Sequence, residues 1–189
     1  TELHSVAAPG DRRVDIENTG SPLSAIWQQV ATGTPTLLEV HGLPPAEAAD
    51  VDIPIMNFTE KLVDHLFTQG FAIESVRYAD HGEPTSDRLR IEPGGASNDP
   101  LVVILATRNQ AVDDAMDLAE RLRGKHNLEE RDLHASTVDK WQGQTNAITI
   151  AIHPLSGAVG LDEFNSAFGR LAVACTRATH GLLVLTRPG

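Results

Sequence analysis

The chain lacks the parts of a self-sufficient nucleotide-hydrolysing enzyme. A P-loop needs G-x-x-x-x-G-K-[ST], whose backbone N–H groups and lysine hold the phosphates. The only Gly-Lys pair is Gly124-Lys125, with Ala119 in place of the first glycine and His126 in place of the magnesium-binding hydroxyl. No apolar strand ends in the acid that would hold magnesium: 101–106 runs into Thr107 and 147–152 into His153. Cysteine is nearly absent. Cys175 stands alone, which excludes an internal disulfide and fits a reducing, cytoplasmic setting. It falls on the apolar face of a helical pattern, so a packed thiol is expected and not a nucleophile. No apolar run approaches the roughly 18–20 residues that span a bilayer, and no signal peptide opens the chain, so no membrane partner is expected. The eight histidines show no paired ligand spacing and none joins the cysteine, so no metal site is expected. No G-x-S-x-G elbow supports a serine nucleophile. Basic residues are few: 15 Lys and Arg against 26 Asp and Glu leave a net charge of −11. That excludes a broad basic surface for nucleic acid, but not local contacts through backbone N–H groups and hydroxyls.

What is present is an alternation of strand-like and helix-like segments long enough to enclose a core. Residues 1–35 are poorly patterned, with turns around Pro9-Gly10 and Gly20-Ser21-Pro22 and a short helix over 23–31. They read as a lead-in from an upstream domain, and a first residue other than methionine agrees with an excised fragment. Residues 36–189 read as one domain. A first strand at 36–40 ends at Gly42 and Pro44-Pro45. Asn57 and Glu60 form a capping-box pattern for a helix carrying Phe58, Leu62, Val63, Leu66 and Phe67, with Gly70 as its stop. Residues 79–100 read as an irregular excursion or hairpin, with weak strands at 71–78 and 88–91 on either side of its polar turn. The run 101–106 is continuously apolar, as in a strand covered on both faces. A helix follows with Val112, Ala115, Met116, Ala119 and Leu122 on one side, closing at Gly124. Strands at 133–137 and 147–152, a long helix over 162–178 and a terminal strand at 182–185 complete a mostly parallel sheet wrapped by helices.

Chemistry concentrates in two late segments. Ser136-Thr-Val-Asp-Lys-Trp-Gln-Gly-Gln144 sets a hydroxyl, a polar turn and a Gln-Gly corner between two apolar runs. Arg170-Leu-Ala-Val-Ala-Cys-Thr-Arg-Ala178 closes a helix whose apolar stripe runs Phe164, Ala167, Phe168, Leu171, Ala172, Cys175. Arg170 and Arg177, seven residues apart, project on nearly the same side, roughly 120–140° from that stripe. Taken alone, such arginines are a solvated or salt-bridged face.

The pair of segments resembles motifs V and VI of superfamily 1 DNA and RNA helicases, T-V-D-K-[FW]-Q-G-Q-E and R-L-x-V-A-x-T-R-A. The run 101–106 with Thr107-Arg108-Asn109-Gln110-Ala111 looks like motif IV, and His153-Pro-Leu-Ser-Gly157 is similar to a bacterial subset. The likeness covers 100–189 well and 36–70 loosely. It implies a RecA-like second motor domain without its own Walker A. ATP and Mg2+ would be held mainly by an absent N-terminal RecA-like domain of the same polypeptide, and single-stranded nucleic acid, DNA before RNA, would be the partner. By the same resemblance Arg177 is an arginine finger and Arg170 supports it. Arg108 and Gln110 line the nucleotide cleft with Gln142 and Gly143. Thr137, with Ser136 and neighbouring backbone, holds a nucleic-acid phosphate. Trp141 packs inward. The pattern's acid is replaced by Thr145, and the adenine-stacking aromatic of motif IV is missing, which puts the ribose and base contacts in question. The motor reading also requires Arg177 to face the sheet's carboxyl edge and to stand outside any buried local ion pair; on either failure that reading collapses to an acidic α/β domain of unknown purpose. A rival reading is a RecA-like interaction module that has lost motor function, favoured by the acidic balance, Thr145 and the weak motif IV. A second rival is a small nucleotide-binding enzyme unrelated to helicases.

Overall fold

The computed structural model describes residues 10–47, 52–79, 83–97, 99–106, 109–153 and 168–188, excepting the side chains of 109, 110 and 168–171. The architecture is α/β, a five-stranded parallel sheet flanked by helices beside a three-stranded antiparallel sheet. In chain order the elements are β1 (Arg12–Ile16), α1 (Pro22–Ala31), β2 (Thr36–Glu39), α2 (Ile53–Gln69), β3 (Phe71–Tyr78) and β4 (Pro84–Ile91). There follow β5 (Val102–Ala106), α3 (Asn109–His126), β6 (Leu133–Thr137), β7 (Asn146–Ile152), α4 (Phe168–Cys175) and β8 (Ala178–Thr186). The large sheet has the order β2-β8-β7-β5-β6 and the small one β1-β3-β4.

Strand alternation sorts the core into two layers. Val102 and Ile104 of β5, Ile148 and Ile150 of β7, and Leu183 and Leu185 of β8 face α1, α2 and α3. Val103, Leu105 and Ala151 face the other way, against Val138, Trp141 and Ala174. Residues 101–106 are thus covered on both sides, as their unbroken apolar run predicts. Each such Leu or Ile stabilises the fold by about 1.5–3 kcal/mol relative to exposure.

The helix ends depart from the sequence expectations for local reasons. Asp52, not Asn57, caps α2, accepting from the Ile55 N–H at 3.0 Å. Gly70 ends that helix as expected, at φ 77°. In α3 the stop moves from Gly124 to Asn127 (φ 53°), and the Leu128 N–H reaches back to the Arg123 carbonyl at 3.0 Å. Asparagine tolerates the left-handed conformation, so this bond closes the helix three residues later. Met116, expected on the buried stripe, is 51% exposed, and Leu118 takes its place inside.

Residues 12–31 belong to the fold. β1 pairs antiparallel with β3, and Val14, Trp27 and Val30 join the main core. The 79–100 stretch contains β4, which makes a hairpin with β3, so the hairpin form of that expectation holds. Among the described residues no helix is long and apolar enough to cross a membrane.

Candidate functional site

The connection from β6 to β7 decides the geometry. It is short, 138–145, and must pass from the carboxyl end of one parallel strand to the amino end of another two places away. It does so in tight turns: Lys140 N–H donates to Thr137 Oγ1 (3.0 Å), Trp141 N–H to the Thr137 carbonyl (3.1 Å) and Gln144 N–H to the Trp141 carbonyl (3.1 Å). Gly143 supplies the positive φ, 84°, that the last turn requires. Trp141 packs inward as expected, 7% exposed, with its ring 4.9 Å from that of His134.

At the upper end of this connection stand Ser136 and Thr137. Ser136 is buried and Thr137 half-buried, paired with Leu105 and Ala106 at the carboxyl end of β5. The described parts of α3 and α4 pack on opposite faces of the sheet. His153 follows β7 at this edge, and burial pushes its pKa below the usual histidine range.

At the lower end, Gln142, Gly143 and Gln144 are exposed, and Gln144 meets Arg177. Arg177 Nη1 donates to the Gln144 carbonyl at 3.3 Å, and the Asn146 N–H donates to the Arg177 carbonyl at 3.2 Å. The two segments that resemble helicase motifs, 33 residues apart, therefore touch. Arg177 lies just past the end of α4. Its Nε donates to the Val173 carbonyl (3.2 Å) and its Nη2 to Thr176 Oγ1 (2.9 Å), so it also caps the last helical turn.

This placement corrects one expectation. Arg177 immediately precedes β8, whose first residue Ala178 pairs with Asn146 at the start of β7, so it stands at the amino edge of the parallel sheet and not at the carboxyl edge. Among the described residues it forms no ion pair: its partners are neutral oxygens and its charge has no carboxylate beside it. Thr137 and Arg177 are thus at opposite edges.

Arg108 lies outside the described residues. Gln110 and Arg170 are placed by backbone alone, in α3 and α4, and their side chains lie outside the description. The expected helix over 162–178 is described only for Phe168–Cys175. Cys175 is half-buried, and burial raises its thiol pKa, which leaves it a poor nucleophile.

Sequence reasoning passed over Asn146. It is fully buried, receives the Trp141 Nε1–H on Oδ1 at 3.0 Å, and donates through Nδ2 to the Ile148 carbonyl (2.8 Å) and Thr149 Oγ1 (2.9 Å). An asparagine opening a strand whose other residues, Thr149 apart, are apolar was the available signal. A concavity of about 740 Å³ between the small sheet and the ends of α2 and α3 is a weaker candidate. Its Arg90 is already bound by Asp15, Glu74 and Glu92, and its His126 by Asp64.

Neither a known family model nor a curated protein sequence matches this chain. Among the described residues no three His, Cys, Asp or Glu side chains gather as metal ligands. Arg177 carries the permanent charge and forked donors that suit spread anionic charge, and in the described structure its Nε, Nη1 and Nη2 each meet a neutral oxygen.

Proposed function

We propose that this chain is the second, RecA-like motor domain of a superfamily 1 helicase, contributing Arg177 in trans to an ATP site whose magnesium and P-loop belong to a partner domain. The observation that carries the reading is the Arg177–Gln144 contact, which unites the Gln-Gly corner and the arginine in one exposed place. Arg177 fails the carboxyl-edge requirement, which governs ligands held by a sheet's own loops. A finger serving another domain's phosphate is free of it, so the partner would dock against the amino-edge corner. There Arg177 would offset charge as it spreads over the transferring phosphoryl group, with Gln142 and Gly143 lining the cleft.

Thr137 and Ser136, at the opposite edge, would hold a phosphate of single-stranded nucleic acid through hydroxyl and backbone. Backbone contacts carry no base code, so sequence preference is low. Closure of the two domains on ATP and opening after hydrolysis would move them along the strand as a hinge.

The test is nucleic-acid-stimulated ATPase of the full-length protein. Arg177→Ala is expected to lower turnover by roughly 10³–10⁵ while leaving ATP binding largely intact. Turnover near wild type would remove Arg177 from the mechanism and leave the interaction-module reading.

A further inference from the structure

We infer that Asn146 is a positioning residue that holds the Gln142–Gln144 corner in register with Arg177; the catalytic meaning of that register rests on the function proposed above. Every polar group of this one buried residue is engaged. Its backbone N–H donates to the Arg177 carbonyl at 3.2 Å, and its own carbonyl accepts the Thr179 hydroxyl at 3.0 Å. Its Oδ1 takes the Trp141 indole N–H, and its Nδ2 is spent on the Ile148 carbonyl and Thr149 Oγ1. An indole N–H only donates, so the amide orientation is fixed by its partner. One side of Asn146 therefore grips the turn, through Trp141, and the other grips the α4–β8 junction, through Arg177 and Thr179.

The strand beside it is shaped for this. Between Asn146↔Ala178 and Ile148↔Gly181 the register shifts, placing the extra residue in β8 at Thr179–His180. Bulges re-aim side chains and recur beside functional sites. This one turns the Thr179 hydroxyl onto Asn146 and His180 into the core. His180 Nδ1 meets Thr179 Oγ1 at 2.8 Å, and its Nε2 meets Ser75 Oγ at 2.8 Å on β3. His180 therefore bridges Thr179 on its own strand and Ser75 on β3. The polar chain thus runs from Trp141 through Asn146, Thr179 and His180 to the antiparallel sheet. A fully satisfied buried network of this kind fixes geometry more than it adds stability.

Trp141→Phe deletes the donor to Asn146 but also trims the buried indole to a single ring, so Thr179→Val, which cuts the other grip and leaves that packing in place, is read beside it. Two readouts on the full-length protein decide the inference. In hydrogen–deuterium exchange, protection is expected to fall together in 138–146 and 173–179 while β5 keeps its wild-type protection. In steady-state ATPase, kcat is expected to fall about 10- to 100-fold with KM for ATP and for single-stranded DNA nearly unchanged, as for a misplaced transition-state group. Loosening confined to 138–146, or paired loosening with wild-type kcat, overturns it. If Trp141→Phe loses protection throughout, Thr179→Val decides by the same two measurements. A wild-type protein without nucleic-acid-stimulated ATPase defeats the helicase reading, whereas the exchange result alone then decides whether Asn146 couples the two segments.

Discussion

Gly181 lies directly beneath Val30. A β-carbon built on Gly181 would stand 2.7 Å from Val30 Cγ1, closer than side chains pack, and 3.6 Å from Val14 Cγ2, an ordinary contact. The bare backbone at this point of β8 lets α1 and β1 settle against the large sheet. Val30 is fully buried and β-branched, so it has little rotameric freedom to move aside. Gly181→Ala is therefore expected to destabilise the fold by about 1–3 kcal/mol through overpacking. Urea unfolding checks this, and an unchanged midpoint would mean that α1 yields without cost.

Thr137 offers its hydroxyl to the Lys140 N–H and stands at the edge opposite Arg177. In the full-length protein, Thr137→Val is expected to weaken single-stranded DNA binding about tenfold, as for losing a hydrogen bond to a charged group. Thr137→Ser is expected to retain it, and neither variant is expected to change ATP affinity. Equal DNA affinity for all three proteins would take Thr137 out of the nucleic-acid surface.

His180 gives the chain a specific acid sensitivity. Burial, with a further push from the Arg12 guanidinium, lowers its pKa to about 4. Between the ordinary histidine value of 6.5 and about 4 the unfolded chain binds a proton that the native state refuses. Stability from this group is thus complete above the unfolded pKa and is lost as pH falls across that window. His153, shifted the same way by burial, adds to the slope, whereas the lowered carboxyl pKa values of Asp64 and Glu74 act at lower pH. His180→Gln is expected to flatten the dependence of unfolding free energy between pH 7 and 4.5. Identical slopes in the two proteins would show that His180 titrates normally in the fold.

The large sheet was legible because its strands are buried on both faces. The run 101–106 has no polar interruption, and β6 falls on its expected bounds, Leu133–Thr137. The small sheet was not. Arg12-Arg13-Val14-Asp15-Ile16 contains just two apolar residues, and what makes it a strand is pairing with Phe71–Ser75, 55 or more residues away. In the same way β8 extends back from the apolar 182–185 to Ala178, through Thr179 and His180, whose partners lie on other strands. Periodicity could not separate Met116 from Leu118 on α3, since both border the stripe and only the neighbouring strands select one.

The site was half legible. The residue types at Thr137, Gln142, Gly143 and Arg177 drew attention from sequence, and the contact between the Gln-Gly corner and Arg177 follows from their elements. The edge on which Arg177 stands did not follow. It depends on how a connection of a few residues traverses the sheet, and on Asn146, whose five hydrogen bonds reach residues up to 33 positions away.

That traverse has a mechanical implication. Residues 138–145 are wound tightly, anchored above by Thr137 and below by Asn146, and weighted in the middle by an embedded indole. Such a strap has no spare length. A tug on its upper anchor cannot be absorbed by paying out chain, and it reaches the corner beside Arg177 as displacement.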